Sequence, residues 1–478
     1  MSANDKKRHL PTINGHLASS SVGTDGVRRK VYPADVKGRF TTLRKVAFFV
    51  LIAIWILLPI LKVDGRPAVF LDVVQRRFYL FGATFNAQDL FGLALLLTGV
   101  AFSLVALTAM LGRVFCGWLC PQTVFLEGIF RPIERLIMGN AVARKKRDEG
   151  PTTAGVLVRR VALHAAYITM AVGVAHIFVG YFVSLPRLFS MMRHTPSQHP
   201  EAFVWMLALS GVFYFNFSWF REQTCLVVCP YGRMQSILFD EHSVVIGYDA
   251  ARGEPRGKKE KDQTHTTGDC VDCDRCVRVC PTGIDIRNGL QVDCIACAAC
   301  IDACDEVMDK LHRPRGLVRY DSQVGLVGGK KRIWRPRAAL YLAVGVVWSV
   351  VAFSATRQHH NFEANLLRGI GAPYTIADGK VSNTFELHIV NKQAVPVTYT
   401  VAAEGSGLTF IVSLPHPSLP PMADARVPIF VSTPVQNARG EMPFELKISR
   451  DESDEVITRR GSFIGGTGAT LAKTGQTP

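Results

Sequence analysis

Eight cysteines between residues 270 and 304 constrain this chain more tightly than any other feature. They form two runs of one spacing, Cys270-x2-Cys273-x2-Cys276-x3-Cys280-Pro281 and Cys294-x2-Cys297-x2-Cys300-x3-Cys304. In this bacterial two-cluster ferredoxin spacing, three closely spaced thiolates cap three corners of a cubane and the fourth cysteine reaches across to the neighbouring one. The spacing assigns Cys270, Cys273, Cys276 and Cys304 to one [4Fe–4S] cluster, and Cys280, Cys294, Cys297 and Cys300 to the other. Zinc also takes Cys-x2-Cys pairs, but a zinc site is complete at four ligands, and two full runs in tandem do not suit it. Asp305 follows Cys304 where a Pro usually stands. That Pro shapes a turn and ligates nothing, so only the charge near that cluster differs. The module is a wire for electrons and not an active site.

The two runs lie between apolar segments. Hydrophobic residues make up 48% of the 478, charged residues 20%, and mean hydropathy is +0.17, which excludes a disordered chain. Five segments suit a bilayer, which needs about 17–25 apolar residues per helix: 46–63, 90–111, 161–185, 202–219 and 338–355. The net charge of +16 does not point to nucleic acid, because the basic residues flank these spans. Segments 1–45, 112–160 and 220–337 hold 10, 9 and 19 Lys/Arg, against 4 for 64–89 with Lys62 and 2 for 186–201. That asymmetry places the N-terminus in the cytoplasm and the C-terminus outside. No short apolar core with a small-residue cleavage site opens the chain, so no secretory signal peptide is expected.

The expected organisation is a multi-domain membrane protein. A flexible cytoplasmic tail (1–45) leads into transmembrane helices 1–4 (46–220). A cytoplasmic loop (221–337) then carries the two-cluster ferredoxin-like insert at about 260–312. A fifth transmembrane helix (338–355) and an all-β C-terminal domain (360–478) complete the chain. Residues 121–138 are apolar but hold Glu127, Arg131, Glu134 and Arg135. They read as an amphipathic helix at the cytoplasmic interface, oriented by its two glutamates. Residues 64–89 read as a short periplasmic hairpin or helix. In the last domain, alternating stretches at 384–391, 396–405, 408–414, 425–433 and 442–450 are separated by Gly, Pro and Asn, the pattern of a β-sandwich that binds or spaces and does not catalyse. His359 and His360 read as linker histidines.

The other four cysteines form a repeat. Cys116-Gly-Trp-Leu-Cys120-Pro121 follows the second span and Cys225-Leu-Val-Val-Cys229-Pro230 the fourth, with Phe130 and Phe239 each ten residues beyond the second Cys. Cysteines four apart share a helix face, and a Pro after the second starts a new helix, whose N-terminus favours a thiolate. By the topology above, all four thiols lie at the cytoplasmic membrane surface, on the side of the clusters. Soft thiolates select Cu(I). Copper ligation, a dithiol/disulfide couple and a further iron–sulfur site all remain open. Lesser candidates are discounted. His164 and His176, twelve apart, point about 120° apart on one helix and read as hydrogen-bonded membrane histidines. Met191, Met192, His194 and His199 read as a loop.

The paired Cys-x3-Cys-Pro motifs, the two-cluster loop and the C-terminal sandwich together resemble the cytochrome c oxidase accessory protein family, called CcoG, FixG or RdxA, over nearly the whole chain except the N-terminal tail. The resemblance implies a Gram-negative cytoplasmic (inner) membrane protein with an immunoglobulin-like periplasmic sandwich. It implies reduction of Cu(II) to Cu(I) for assembly of cbb3-type oxidase, with copper as substrate and Cys116, Cys120, Cys225 and Cys229 as the catalytic, copper-holding residues. Its implied partners are copper chaperones and oxidase assembly factors, and it leaves room for a homo-oligomer. No Walker or dinucleotide fingerprint is present, so the electron donor is expected to be a separate cytoplasmic protein. Two rivals share the motifs: a quinol-linked electron-transfer subunit resembling NapH or NosR, and a copper-binding assembly chaperone without turnover.

Overall fold

The computed structural model describes residues 30–465, apart from 64, 75–76, 87–89, 239, 258–267, 331, 333–334, 358–361, 370–371, 394, 422, 439 and 452–454. His359, His360 and Phe239 lie outside the described residues. The chain forms two compact units, Met1–Ala352 and Phe353–Pro478.

In the first unit, four helices are long and apolar enough to cross a membrane: Arg39–Leu57, Ala154–Val183, Pro200–Phe220 and Pro336–Ser354. Their outward side chains, among them Phe49, Ile54, Val204, Leu207 and Val347, are apolar and exposed, a surface that suits hydrocarbon and not water. A fifth candidate, Leu97–Leu111, continues into Val114–Met138 through a bend of 101°. Among the described residues the count of candidate spans is therefore four, or five with the bent pair as one.

Helix α1 (Arg39–Leu57) starts well before the expected residue 46, and the reason lies far along the chain. The Asp302 carboxylate accepts the backbone N–H groups of Phe40 (3.2 Å) and Thr41 (2.7 Å) and the Thr41 hydroxyl (2.7 Å), capping the helix from outside its own sequence. Residues 30–38, expected within a flexible tail, form an extended strap instead. Tyr32 donates to Asp148 at 2.8 Å, Pro33 accepts from Arg144 at 2.9 Å, and Ala34 N–H donates to Arg278 O at 2.8 Å.

After α1, the described residues between 62 and 86 form strands: a two-stranded pair, β1 (Lys62–Val63) and β2 (Arg66–Pro67), then an antiparallel sheet of β3 (Val69–Asp72), β4 (Arg77–Leu80) and β5 (Ala83–Asn86). Helices α2 (Leu90–Leu111), α3 (Val114–Trp118) and α4 (Pro121–Phe125) follow, then a π-turn at Leu126–Phe130 and α5 (Arg131–Met138). Stretch 121–138 is not the interface helix expected, because its polar face turns inward. Arg131 and Glu134 are 1% and 2% exposed, whereas Leu136 is 85% exposed. Arg131 pairs with Glu127 and Glu222, and Glu134 pairs with Arg144 and Arg221. Arg131 and Glu134 thus tie this stretch to the one before Cys225. Helices α6 (Ala141–Glu149), α7 (Ala154–Val183), α8 (Leu185–Met191) and α9 (Pro200–Phe215) complete this part.

Beyond α10 (Pro230–Leu238), strand β6 (Val245–Tyr248) pairs antiparallel with β7 (Val318–Asp321), Ile246 opposite Tyr320. Between them lie α11 (Ala250–Gly253), α12 (Arg275–Arg278) and α13 (Ala299–Lys310), with α14 (Gln323–Leu326) and α15 (Pro336–Arg357) after them.

The second unit is a two-sheet β domain. One sheet orders β12 (Thr409–Val412), β14 (Asp424–Pro434), β10 (Lys380–Asn391) and β8 (Phe362–Arg368), with β9 (Thr375–Ala377) also on β10. The other orders β13 (Ser418–Leu419), β11 (Val397–Glu404), β15 (Glu441–Arg450) and β16 (Val456–Ile464). Alternate residues such as Phe385, Leu387, Ile389 and Ile429 from the first sheet meet Tyr399, Val401, Leu446 and Ile448 from the second in one core, as aligned sheet packing requires. Each of the five stretches expected to be a strand overlaps one of this domain's strands, with 396–405 and 408–414 running past the ends of β11 and β12.

Candidate iron–sulfur and thiol sites

The structure gathers the eight ferredoxin-type cysteines around two cavities. Cys270, Cys273, Cys276 and Cys304 line one, with Arg287, Met308 and Val318. Cys280, Cys294, Cys297 and Cys300, with Cys276 between the two, line another whose other walls include Ile246, Ile284 and Ile286. The two sets are those the spacing assigns, including the exchange of Cys280 and Cys304.

Backbone geometry supports a cluster at each. Asp272 and Asp274 have φ of 52° and 55°, and Ala296 and Ala298, at the matching places of the second run, have 53° and 63°. Left-handed backbone is uncommon for Ala. Repeated between successive cysteines, it turns N–H groups inward into the concave nests that hold Fe–S sulfur. Among the described residues, no three His, Cys, Asp or Glu side chains form a site for a single metal ion, whereas cavities lined by four thiols each suit a cubane. These residues therefore fit [4Fe–4S] clusters. Burial pushes the Cys276, Cys294 and Cys304 thiols up to about 12, so they stay protonated until iron displaces their protons. Near the first cavity, the Arg287 guanidinium reaches Asp272 and Asp274 at 2.6 Å and Asp285 at 2.7 Å.

The Cys-x3-Cys pairs do not each share one helix face, as their spacing suggested, because each pair straddles a helix break. Cys116 lies in α3, while Cys120 is the extended residue before Pro121 at the start of α4. Cys225 lies in a π-turn (Thr224–Val228), and Cys229 is extended before Pro230 at the start of α10. Both second cysteines do stand at helix N-termini, and the N–H groups of Gln122 and Thr123 reach the Cys120 sulfur. Cys225 lies within electrostatic reach of Cys120, Cys116 and Cys229, though among the described residues no three of these thiols close on one ion-sized point, and burial pushes the Cys225 thiol up to about 12.

The first pair also touches the cluster loops. Cys116 packs against the core of Val279, Ile295 and Cys297. A Cβ on Gly117 would stand 2.5 Å from the Ile295 carbonyl oxygen and 3.0 Å from the Cys297 Cα. Several residues that set this contact were not singled out from the sequence. Arg44, buried, donates to the Gly117 carbonyl at 3.0 Å. Arg113 donates to the carbonyls of Val292 and of Gly232, the latter at 2.8 Å. Gln235, fully buried, lies 3.3 Å from the Cys116 sulfur. A Gly inside the first motif was the one local signal; the rest depends on partners 73 to 179 residues away. His164 hydrogen-bonds Tyr214 and His176 the Val172 carbonyl, both at 2.8 Å. The His194 and His199 rings lie 5.8 Å apart in an exposed loop.

Comparison with known proteins now bears on this arrangement. A 4Fe-4S dicluster domain family matches residues 220–323, a 4Fe-4S binding domain family 90–140, and the family described as the IG-like fold at the C-terminal of FixG matches 350–466. The chain is 34% identical over 422 residues to the nitrogen fixation protein FixG of Rhizobium meliloti, covering 79% of this chain and 80% of that protein. The chain belongs to the FixG/RdxA family. Protein RdxA of Cereibacter sphaeroides is 33% identical over 395 residues, covering 79% of this chain and 83% of RdxA. A crystal structure of a FixG-related protein from Vibrio parahaemolyticus aligns with 22% of this chain and 97% of its own, at 15% identity and a TM-score of 0.21. This FixG/RdxA-type chain is an iron–sulfur protein with several membrane-type helices, and its family matches cover both the cluster loops and the first Cys-x3-Cys motif.

Proposed function

We propose that this protein is a membrane cupric reductase, converting Cu(II) to Cu(I) for assembly of a cbb3-type cytochrome oxidase. The observation that carries this reading is the contact at Gly117, where the first thiol pair lies directly on a cluster-ligand loop. Held by the eight ferredoxin-type cysteines, [4Fe–4S] clusters would supply one-electron transfer. The chain's own residues do the rest. Cys116, Cys120, Cys225 and Cys229 offer copper, the substrate, a soft donor set that favours Cu(I). The Gln122 and Thr123 N–H groups hydrogen-bond the Cys120 sulfur and orient it. Arg113 ties the segment carrying Cys116 to Val292 of the cluster loops, and Arg44 ties it to α1. The basic connections would face the cluster domain to the cytoplasm and the β domain to the periplasm. A separate cytoplasmic protein would supply the electrons, and copper chaperones and oxidase assembly factors would take the product. The test is anaerobic protein with all four of these cysteines changed to Ser, given Cu(II) and a Cu(I)-trapping chelator. The expected result is an intact cluster spectrum with Cu(I) formation lost; formation at the wild-type rate would sink the reading.

A second reading is favoured by the 4Fe-4S binding family match, which covers Cys116 and Cys120. There the four thiols would hold a third cluster. Iron analysis separates the two, at about 8 irons per chain for two cubanes against about 12 for three.

A further inference from the structure

A cavity of about 360 Å³, partly open to solvent, lies between the strap, the start of α1 and the Glu127–Arg135 stretch, and its wall includes Val279, Pro281 and Ala299 beside ligand cysteines 280 and 300. Its walls carry Lys37, Arg44, Lys45 and Arg135 against two acids, Asp35 and Glu127. Both acids are engaged, Asp35 by Arg135 at 3.0 Å and Glu127 by Arg131. Among the described residues, none forms an ion pair with Lys37, Arg44 or Lys45. Arg44 is 6% exposed; its Nε donates to Gly117, while its buried Nη2 has no partner. A buried guanidinium N–H without an acceptor is costly, and an anion in the cavity would satisfy it. Residues 1–29 carry five Lys/Arg and two Asp, so the chain's own N-terminal segment has the wrong charge. Phe48 and Val36 supply an apolar side.

We propose that this cavity binds a phosphate ester with an apolar body, its phosphate held by Arg44, Lys37 and Lys45 and its body against Phe48 and Val36. Guanidinium and ammonium groups converging on one space recognise phosphate well. Two sources share that chemistry: the headgroup of an anionic phospholipid at the membrane surface, and a flavin nucleotide. The site is independent of what the paired cysteines hold.

The experiment uses the full-length, cluster-loaded protein. Native mass spectrometry in nanodiscs compares phosphatidylglycerol with phosphatidylcholine, and fluorescence titration compares flavin mononucleotide with riboflavin, which lacks the phosphate. The phosphate-bearing anionic ligand of one pair should bind in preference to its control, and about tenfold more weakly to Arg44→Gln. Because Arg44 also holds the Gly117 carbonyl, the exposed pair Lys37→Glu/Lys45→Glu tests the same site if Arg44→Gln does not fold. Preference for phosphatidylglycerol supports the lipid source, and preference for flavin mononucleotide the nucleotide. The proposal is overturned if neither is preferred, or if the folded variants bind as wild type does.

Discussion

Gly117 has no room for a side chain, because a Cβ would stand 2.5 Å from the Ile295 carbonyl oxygen, a backbone atom that cannot swing away. Gly117→Val must therefore part the first thiol pair from the Cys297 loop. Its expected outcome is retained iron and a copper-reduction rate at least about tenfold lower, read by stopped-flow. A rate unchanged from wild type would mean that the contact does not serve the reaction. Arg287 makes a second case at this scale. Burial works against ionisation of Asp285, but the Arg287 hydrogen bonds outweigh it and hold its carboxyl below the usual range. With Arg287→Gln, Asp272, Asp274 and Asp285 lose their common counter-charge beside the first cavity. Added negative charge disfavours taking up an electron, so the reduction potential of that cluster should fall, as measured by potentiometric EPR titration. An unmoved midpoint would show that the trio does not tune it. The cysteines themselves were legible because their ligand spacing is local. The need for Gly at 117 was not, because the obstructing atoms lie about 180 residues further on.

At the scale of elements, legibility followed the range of the forces. The alternation in β10 and β14 is a local pattern, and Phe385 opposite Ile429 and Leu387 opposite Val427 keep it in register. The start of α1 is set instead by Asp302, and the inward polar face of 121–138 by Arg221 and Arg144, none of which its own sequence shows. Asp302→Ala removes the carboxylate that accepts two backbone N–H groups from the first turn of α1, and a lost cap costs about 1 kcal/mol. The expected outcome is a lower melting temperature with faster cleavage of residues 30–38 by added protease; unchanged cleavage would argue that the strap holds without its cap. The strap should also respond to acid. Burial raises the cost of charging Asp148, but hydrogen bonds from Lys30 and Tyr32 outweigh it and keep its carboxyl below the ordinary value. A lowered carboxyl contributes stability that is full above the unfolded value, about 3.9, and is lost as pH falls through the folded one. Hydrogen exchange in residues 30–34 should therefore quicken as pH drops below about 4 relative to the intrinsic rate, and Asp148→Asn should remove that step.

For the whole molecule, the division into two units carries a consequence for iron. All twelve cysteines lie at or before residue 304, and the last 174 residues have none. The β domain closes its own core from Phe362 through Phe463, with no thiol or cluster among the groups that hold it. The first unit is different, because its two cysteine-lined cavities lie inside a core containing Cys270, Cys280, Ile246 and Met308, and loss of a cluster leaves that core with empty space and buried thiols. Metal affinity at such a site is folding free energy, and emptied cavities cost stability in proportion to their size. Calorimetry of the holoprotein should therefore show two transitions. Removing iron with a chelator under reducing conditions should lower one of them markedly and leave the other within about 1 °C, since the core of the β domain includes no iron ligand. The residues that unfold in the unmoved transition should be those of the β domain, identified by hydrogen exchange across the same temperature range. A single transition that moves as a whole with iron content would instead mean that the β domain depends on the cluster-bearing unit for its stability.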